Sequence, residues 1–422
     1  MYDRIKLLIV TDNIDVNDGS GAKANLAIIQ NLSSSGFDIT VCHHTGYKHE
    51  LKGIRTELVR IKKVNIFYLI YILTRWVNRH FKYNLNRVIE KYMGFPAEFF
   101  NTAKSIRSHI RKKHDVSRFD MVITLSKGTS FRPHYALLGM PEWHTKWMAY
   151  IHDPYPYHLY PRPYRFRPIG YKQKERFFLK MSEAARWVAF PSKLLMQWMA
   201  YDFPAMLQKG VVIPHQIADT SAEPPTAYPF INPEMFTLAH AGLLMSARQP
   251  FGLIKGYLKF LEKHPDAAEK SELILAGKSD FSEHELRKAS KNTPSVKYIL
   301  RTIPYHEASA IQNQTTVNII IESDYYVSPF LPGKFPHCVA ADKPILILSP
   351  YYSETRRLVG NDYPYWSEGQ NANRIADILS DLYVNWKATR NLKLPDSHSL
   401  KAYLSKEKLS EQIHRLLEPI HE

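Results

Sequence analysis

Cysteine is scarce in this sequence. Only Cys42 and Cys338 occur in 422 residues, and both lie in segments whose apolar character predicts burial. A disulfide framework is therefore excluded, and a reducing cytosol is the simpler location. The N-terminal stretch MYDRIKLLIVTDN has too short an apolar run for a signal peptide and predicts a first β-strand instead.

Long hydrophobic runs and several well-known site motifs are also missing. The longest apolar run of the basic region, VNIFYLIYIL, falls well short of the roughly 20 residues that a membrane-spanning helix needs. The chain has no HExxH, no paired CxxC, no P-loop, no full GxGxxG and no GxSxG. Nothing therefore supports a zinc hydrolase, an NTPase, a dinucleotide-cofactor enzyme or a serine hydrolase, and we predict no metal site.

Acidic residues are few relative to basic ones. Aspartate and glutamate number 40 against 56 lysines and arginines, which gives a formal net charge of +16. Such an excess predicts an anionic partner: nucleic acid, an acidic membrane face or a phosphorylated ligand. Much of it lies in residues 60–118, where cations alternate with aromatic residues and only Glu90, Glu98 and Asp115 are acidic.

The basic aromatic segment has three interpretations. Interleaved cations and aromatic residues favour an amphipathic surface that docks on an anionic membrane or acceptor. An ordinary helical insertion with solvated charges is the alternative. Nucleic-acid binding is the least favoured, because no recognised motif accompanies the charge.

Length and periodicity predict two domains with parallel sheets. A chain of 422 residues exceeds what one core usually serves. Apolar strands alternate with amphipathic helices in both halves, as in doubly wound α/β folds. The predicted parts are a Rossmann-like domain at 1–215 with the 60–118 insertion, a proline-rich linker at 216–234, a second Rossmann-like domain at 235–395, and a C-terminal helix within 396–422 that is exposed or crosses back to the first domain.

Open parallel sheets bind ligands at the carboxyl ends of their strands. The motifs found there are, in chain order, VTDN…DGSGA, YIHDPYP, FPSKLLMQ, VVIPHQI, AHAGLLMSARQP, LILAG and GKFPHCVAADKPIL. Their order and spacing over nearly the whole chain resemble the GT-B glycosyltransferases, in particular the retaining, nucleotide-sugar-dependent group that includes bacterial cell-surface polysaccharide enzymes.

The resemblance implies an architecture and a reaction. Two Rossmann-like domains would face each other across a cleft, with the acceptor held mainly by the first and the nucleotide-sugar mainly by the second. The implied enzyme is a retaining hexosyltransferase that needs no metal and no tightly bound cofactor. The family's ribose-binding glutamate falls on His337 here, and its second carboxylate falls on Pro329.

Arg248 is the strongest single candidate. It follows a strand and precedes Pro250 at a predicted helix start, where a forked cation would meet a diphosphate. The resemblance assigns the family's phosphate-binding arginine to this position. The alternative is a surface arginine in a helical ion pair.

The second candidate is the loop that contains Gly333 and Lys334. Exposed backbone N–H groups and a lysine would converge there on an anion, and His337 would replace the ribose contact with one donor and one acceptor. Alternatively, Lys334 is solvated and His337 is a packing residue. Gly242 and Gly277, which follow two strands of the second domain, complete the predicted donor site.

Two further groups lie in the first domain. His152 and Asp153 end a strand before an aromatic, proline-rich loop; the resemblance places the histidine near the reacting sugar, and Asp153 is the candidate base or acceptor orienter. A pair that caps the following turn is the alternative. The backbone of Gly19, Ser20 and Gly21 could hold a phosphate or an acceptor hydroxyl.

Together these residues predict sugar transfer from a nucleoside diphosphate donor to a saccharide or lipid-linked acceptor during cell-surface polysaccharide synthesis. His152, Asp153, Arg248 and Lys334 are the predicted catalytic residues. The expected location is cytoplasmic, peripheral on the inner face of the membrane. The competing hypothesis is a degenerate GT-B protein that binds saccharide or serves as a partner subunit, because both family carboxylates are replaced.

Overall fold

A computed structural model describes residues 4–15, 19–156, 167–218 and 231–418. The chain forms two compact units. Unit 1 contains the described residues up to Gln216 together with those from Lys406 onward, and unit 2 contains Ile217–Ser405. Most of the predicted 216–234 linker and of the aromatic loop after Asp153 lies outside the described residues.

Unit 1 is built on a seven-stranded, wholly parallel sheet with the strand order β3-β2-β1-β4-β5-β6-β7. Its interior strands are continuously apolar because helices cover both faces. The strands are β1 Lys6–Thr11, β2 Asp38–His43, β3 Arg55–Leu58, β4 Met121–Leu125, β5 Trp147–Tyr150, β6 Trp187–Phe190 and β7 Gly210–Val212.

The helices of unit 1 connect these strands and form the 60–118 insertion. They are α1 Ser20–Ser34, α2 Ile66–Phe81, α3 Leu85–Met93, α4 Ala97–Lys113, α5 Arg132–Leu138, α6 Tyr171–Ala184, α7 Lys193–Asp202 and α8 Ala205–Gln208. Local signals explain several ends: the Ser192 hydroxyl accepts the Leu195 N–H at 2.9 Å to start α7, and α3 ends at Gly94 with φ +85°.

Unit 2 has a six-stranded parallel sheet with the strand order β10-β9-β8-β11-β13-β15, beside a separate β12-β14 pair. The strands are β8 Phe236–Ala241, β9 Ser271–Ala276, β10 Val296–Ile299, β11 Val317–Ile321, β12 Val327–Ser328, β13 Ile345–Leu348, β14 Tyr352–Ser353 and β15 Trp366–Ser367.

Helices flank this second sheet, and one more helix follows it. They are α9 Phe251–Lys263, α10 Ala267–Lys270, α11 Glu283–Ala289, α12 Tyr305–Gln314, α13 Phe335–Ala340, α14 Glu354–Val359, α15 Ala372–Thr389, α16 Ser397–Tyr403 and α17 Lys406–Leu417. Helix α17 belongs to unit 1, where Leu409 and Ile413 pack into the core with Ile28 and Leu32 of α1. The chain therefore returns to the first unit. Of the two alternatives predicted for the C-terminal helix, exposure or a return to the first domain, the structure has the second.

Each sheet contains one point where the strand order reverses. In unit 1 the reversal lies between β1 and β4, and in unit 2 it lies between β8 and β11. Helices leave the two central strands toward opposite faces, which opens a crevice at their carboxyl ends. We call these the first and the second switch point. The predicted fold class, an α/β protein with two Rossmann-like halves, is confirmed.

Candidate functional site

Arg248 lies at the second switch point. The loop from β8 to α9 turns tightly there, with the Arg248 N–H donating to the Met245 carbonyl at 2.8 Å. The loop after β11 meets this turn, because the Asp324 N–H donates to the Ala247 carbonyl at 3.1 Å. Arg248 is half-buried, and its Nε has no hydrogen-bond partner among the described residues. A cation with an unused donor therefore faces the crevice edge of the sheet.

Helix α9 begins two residues after Gln249. Pro250 precedes it, and no side chain caps its first turn, which contains no acidic residue. The N–H groups of that turn therefore keep their capacity to bind an anion, and the helix dipole favours one. The geometry of Arg248 and this helix start suits an anion.

Glu322 is a buried carboxyl that directly follows β11. The hydroxyls of Ser328, Thr355 and Ser353 lie close to it, but neither carboxyl oxygen makes a hydrogen bond of ordinary geometry within the described residues. Burial raises the pKa of Glu322 to about 7, although those hydroxyls and Arg248 act in the opposite direction. A buried carboxyl whose oxygens lack well-formed hydrogen bonds is typical of a site that a ligand completes.

Lys334 turns its amine toward the same edge of the sheet. Its Nζ lies 3.3 Å from each ring nitrogen of His240, a buried residue of β8. His240 Nδ1 lies 3.2 Å from the Ile319 carbonyl, so Nδ1 donates and Nε2 accepts. Burial and the neighbouring Arg248 lower the pKa of Lys334 to about 7, while burial and the Lys334 charge hold the pKa of His240 well below its usual range.

Two glycines make room for this arrangement. A Cβ at Gly242 would collide with the Lys334 amine, and a Cβ at Gly277 would collide with the Gly242 carbonyl oxygen. Gly277 also has φ +148°, a backbone conformation that residues with side chains rarely adopt. The structure therefore brings four predicted donor residues together: Gly242, Gly277, Arg248 and Lys334.

The remaining two predicted donor residues lie differently. Gly333 is exposed in the turn closed by the Phe335 N–H and the Pro332 carbonyl at 2.8 Å. His337 is half-buried in α13, and its ring packs edge-on against Tyr305 of α12 with centroids 5.5 Å apart. Helix α13 has only six residues, so its start contributes little dipole; the Lys334 amine is the part of this loop that joins the cluster.

Glu322 and His240 were not among the predicted site residues. Glu322 directly follows the apolar strand VNIII, so the rule that ligands bind at the carboxyl ends of strands already points to it. His240 lies within the apolar strand FTLAHA and resembles a core residue in the sequence. Only its contact with Lys334, 94 residues away, identifies it.

The first switch point contains a paired carboxylate instead. Asp12 follows β1, accepts a short hydrogen bond from the Ser130 hydroxyl at Oδ2, and lies 3.5 Å from Arg132 Nη1. Arg132 also donates to Glu98 at 2.8 Å. Two carboxylates thus share one guanidinium, and we call this arrangement the closed network, although Asp12 Oδ1 and Arg132 Nε make no hydrogen bond within the described residues. Neither acid was predicted as a site residue.

His152 is part of a second network at this switch point. Its Nε2 lies 2.5 Å from Asn25 Oδ1, and the Asn25 amide donates to Thr11 Oγ1 and to the Ser126 carbonyl. Oδ1 is therefore the acceptor and His152 Nε2 the donor. Burial and the neighbouring His215, whose ring stacks at 5.4 Å, hold the pKa of His152 well below its usual range. Its Nδ1 is a buried acceptor with no partner in the described chain.

The other predicted residues of unit 1 flank this network. Gly19, with φ +101°, immediately precedes α1, whose first residue is Ser20. A Cβ at Gly21 would lie 3.2 Å from Lys127 Cγ, so the start of α1 packs against the turn after β4. Asp153 follows His152 and is half-buried.

Helices α2 and α3 expose an unusual amount of apolar surface. Thr74 is the one buried residue of α2. Exposed cations accompany the apolar side chains, and we call the whole the basic aromatic surface: Ile66, Leu69, Ile72, Leu73, Arg75, Trp76, Arg79, Phe81, Lys82, Tyr83, Arg87, Val88, Lys91, Tyr92 and Met93. Within the described ranges, no helix is both long and apolar enough to span a bilayer.

Comparison with known proteins gives a match at the level of the fold. No protein-family model matches the sequence, and no curated protein is similar to it. Solved structures do match over nearly their whole length. A glycosyltransferase from Rickettsia africae ESF-5 superposes with a TM-score of 0.60 at 12% identity, covering 99% of this chain and 98% of that one.

Trehalose-6-phosphate synthases match similarly. OtsA gives a TM-score of 0.60 at 11% identity, covering 98% of this chain and 99% of that one. The α,α-trehalose-phosphate synthase (UDP-forming) from Burkholderia xenovorans, solved with glucose-6-phosphate, gives 0.59 at 10% identity, covering 98% and 99%. At such identities the likeness shows the fold alone, which is the two-domain GT-B fold of these glycosyltransferases.

Proposed function

We propose that this protein is a glycosyltransferase that moves a sugar from a nucleoside diphosphate donor to a saccharide or lipid-linked acceptor in cell-surface polysaccharide synthesis. One observation carries the proposal: Arg248 and Lys334 converge beside the uncapped start of α9, at the second switch point of a GT-B fold. A diphosphate leaving group requires such a site, because negative charge develops on it as the glycosidic bond breaks.

Arg248 and Lys334 would divide the work on the leaving diphosphate. Arg248 presents a planar fork with a free Nε, which suits two oxygens of a phosphate. Lys334, whose pKa is about 7, is about half protonated at neutral pH and would become fully protonated as the anion arrives. These cations are the basis for including metal independence in the proposal, and retention of configuration is included on the strength of the family resemblance.

Glu322 would complete the donor site at the carboxyl end of β11. Its protonated form donates one hydrogen bond, and its ionised form accepts several, so a sugar or ribose hydroxyl satisfies either form. It lies at the same sheet edge as Arg248, whose charge acts on it. We therefore assign Glu322 the contact with donor hydroxyls that the missing family carboxylates at Pro329 and His337 would otherwise make.

Unit 1 would hold the acceptor. The unpartnered Nδ1 of His152 can accept a hydrogen bond from a sugar hydroxyl, while Asn25 fixes the ring and its tautomer. Asp153 would orient or deprotonate the acceptor hydroxyl, and the backbone of Gly19, Ser20 and Gly21 would bind a phosphate on it. The glucose-6-phosphate complex of the Burkholderia xenovorans neighbour supports an acceptor that carries phosphate.

Calorimetric titration of UDP, GDP, ADP and their sugar conjugates tests this function. The native protein should bind one nucleotide series, and Arg248→Ala should weaken that binding by about 100-fold. The matched control is Arg287→Ala, which removes an exposed unit 2 arginine paired with Glu283. Native-like binding by Arg248→Ala would refute the donor site.

We further propose that the basic aromatic surface docks the enzyme peripherally on the inner face of the membrane. Apolar and aromatic side chains would enter the headgroup region, and the interleaved cations would attract anionic lipids. A groove of about 420 Å³ between α2, α4 and α5 adjoins it. Its lining combines rings with cations: Phe67, Phe100, Tyr135, Lys104, Arg107 and Arg111.

Flotation with liposomes tests the membrane proposal. Vesicles rich in phosphatidylglycerol should carry the native protein upward, and added salt should release it. The double change Leu69→Ser, Trp76→Ser should abolish flotation, whereas Val384→Ser, at an exposed apolar position of unit 2, should not. Failure of the native protein to float would remove the membrane claim without affecting the donor site.

The degenerate-binder alternative rests on His337. Its ring packs against Tyr305, in the helix where the family carboxylate would lie. One outcome would favour this alternative: no nucleotide binding by the native protein, but binding by His337→Glu. The loop would then have lost its donor function, and a saccharide-binding protein or partner subunit would be the better hypothesis. Nucleotide binding by the native protein that His337→Glu leaves unchanged would reject this alternative.

A further inference from the structure

A second cluster of reactive side chains lies in unit 1, outside both switch points. It contains Cys42, Glu57, His109 and His114. Cys42 and Glu57 occupy paired positions of the parallel strands β2 and β3, so their side chains lie next to each other on one face of the sheet. His109 belongs to α4, and His114 immediately follows it.

The distances within this cluster are close to those between the ligands of one metal ion. The Nε2 atoms of His109 and His114 lie 3.0 and 3.2 Å from the same Glu57 oxygen, Oε2. Cys42 Sγ lies 3.6 Å from His114 Nε2. The four ligand atoms all lie within 4.8 Å of one another. Nitrogen, oxygen and sulfur ligands around one tetrahedral zinc ion lie about 3.3 to 3.7 Å apart, since the metal–ligand bonds measure about 2.0 to 2.3 Å.

We propose that Cys42, Glu57, His109 and His114 bind a divalent transition metal, zinc in the first place, as a structural site. One thiolate, one carboxylate and two imidazoles form a donor set that zinc prefers over magnesium or calcium. The thiolate of Cys42 and the carboxylate of Glu57 would balance the two positive charges of the metal ion. Four protein ligands leave no open position, which is the arrangement of structural rather than catalytic zinc.

The protonation states of the ligands and the charges next to them determine what must change when the metal binds. Burial and the Glu57 charge raise the pKa of the Cys42 thiol, so this thiol keeps its proton until a metal displaces it. Metal binding would therefore release one proton. Arg55 pairs with the other Glu57 oxygen, Oε1, at 2.8 Å. Lys113, 3.6 Å from Oε2 and half-exposed, can swing into solvent as the metal enters.

The site would fasten α4 to the sheet. The ligands come from two edge-side strands and from the C-terminal end of α4, and the rest of α4 supports α2. Phe67 of α2 stacks on Phe100 of α4 with centroids 5.4 Å apart. A metal at one end of α4 would thus hold in place the helix that carries the basic aromatic surface. No metal motif marks this site in the sequence, because its ligands are spread from residue 42 to residue 114.

Cobalt titration of the full-length, tag-free protein tests the proposal. After treatment with chelator, the protein should bind one equivalent of Co²⁺. It should develop the strong visible bands of four-coordinate cobalt and a near-ultraviolet thiolate charge-transfer band, and Zn²⁺ should bleach both. Cys42→Ser should lose the charge-transfer band, and His109→Gln should weaken Co²⁺ binding by at least about tenfold, because one ligand is lost.

Matched controls come from the same chain. Cys338→Ala removes the other buried cysteine, and His144→Gln removes a half-buried histidine of unit 1, so both should retain the cobalt spectrum. His109 lies at the partly accessible side of the cluster, so His109→Gln is the variant that tests the site if Cys42→Ser does not fold. Weak, six-coordinate cobalt spectra, or a native spectrum that persists in Cys42→Ser and His109→Gln, would overturn the site and leave a hydrogen-bonded network around Glu57.

Discussion

The two switch points contain the same kind of group in opposite states. At the first, Asp12 Oδ2 is bound by Ser130 and lies close to Arg132, which in turn is held by Glu98. At the second, Glu322 is fully buried and has no well-formed hydrogen bond within the described residues, while the nearby Arg248 leaves its Nε unused. Asp12 Oδ1 and Arg132 Nε also lack a hydrogen-bond partner within the described residues, so the two positions differ in the carboxylate: one oxygen of Asp12 is paired, whereas neither oxygen of Glu322 is. We call the first arrangement the closed network and the second the open network.

This difference indicates which position can accept an anion. The closed network gains little from an anion, because the charge of Arg132 is already compensated by two carboxylates. In the open network, buried polar groups have lost their contacts with water without gaining well-formed hydrogen bonds, and a ligand can supply those bonds. We therefore place the nucleoside diphosphate at the second switch point, and we regard Asp12 and Arg132 as groups that stabilise unit 1.

The largest expected effect separates the two arginines. Arg248→Ala should weaken nucleoside diphosphate binding by about 100-fold, since each hydrogen bond to a charged group contributes about 1.5 to 3 kcal/mol. Arg132→Ala should leave that affinity unchanged while lowering the melting temperature. Calorimetric titration and thermal melting of both variants check this pair, and a loss of affinity in Arg132→Ala equal to that in Arg248→Ala would contradict the comparison.

A smaller effect concerns stability in unit 1. Asp12→Asn should lower the free energy of unfolding by roughly 2 kcal/mol, because Arg132 and Ser130 lose the charged acceptor that they share. Chemical denaturation measures this loss. The exposed Asp362→Asn is the control, and it should unfold like the native protein. An unchanged midpoint for Asp12→Asn would show that the closed network contributes nothing.

Glu322 should behave in the opposite way. Its pKa in the folded protein is about 7, above the ordinary value of 4.5. Its contribution to stability is therefore fully present below about pH 4.5 and is lost as the pH rises through about 7. In Glu322→Gln this loss should be absent. The free energy of unfolding of the native protein should therefore fall by roughly 2.5 kcal/mol more than that of Glu322→Gln between pH 5 and pH 8.

Differential scanning calorimetry at several pH values measures that change. The exposed Glu368→Gln should reproduce the native pH dependence, which makes it the matched control. Parallel pH profiles for Glu322→Gln and the native protein would mean that Glu322 has an ordinary pKa and that the second switch point is not an open network.

The smallest expected effect is a pH dependence of ligand affinity. Lys334 has a pKa of about 7, and a bound diphosphate favours its protonated form. Affinity should therefore fall by about fivefold between pH 7 and pH 8. Titration in buffers of different ionisation enthalpy should show proton uptake on binding; proton release would contradict this account.

The sequence was sufficient for the fold of unit 2 and for several residues of its candidate site. Continuous apolar runs such as VNIII, bounded by polar residues, define the strands of a covered parallel sheet. Arg248 and Lys334 were identified because they follow strands in glycine- or proline-containing loops. Strand β3, with the polar sequence RTEL, was missed because a short edge strand lacks an apolar run.

Contacts between distant residues were beyond sequence reasoning. His152 was predicted as a site residue, but its partner Asn25 is 127 residues away and lies in a helix that has no visible link to it. The inward turn of Lys334 toward His240 likewise depends on packing that no local pattern encodes. Glu322 could have been predicted from the sequence. It directly follows a strand, and the rule that ligands bind at the carboxyl ends of parallel strands therefore applies to it as it does to Arg248.

Hydrogen–deuterium exchange with and without saturating UDP, GDP or ADP tests the central claim most directly. The account predicts that the nucleotide that binds will slow exchange in residues 242–254 and 322–334 of unit 2 and leave residues 12–15 and 126–132 of unit 1 unchanged. Protection confined to the unit 1 residues, or no protection with any of the three nucleotides, would contradict it.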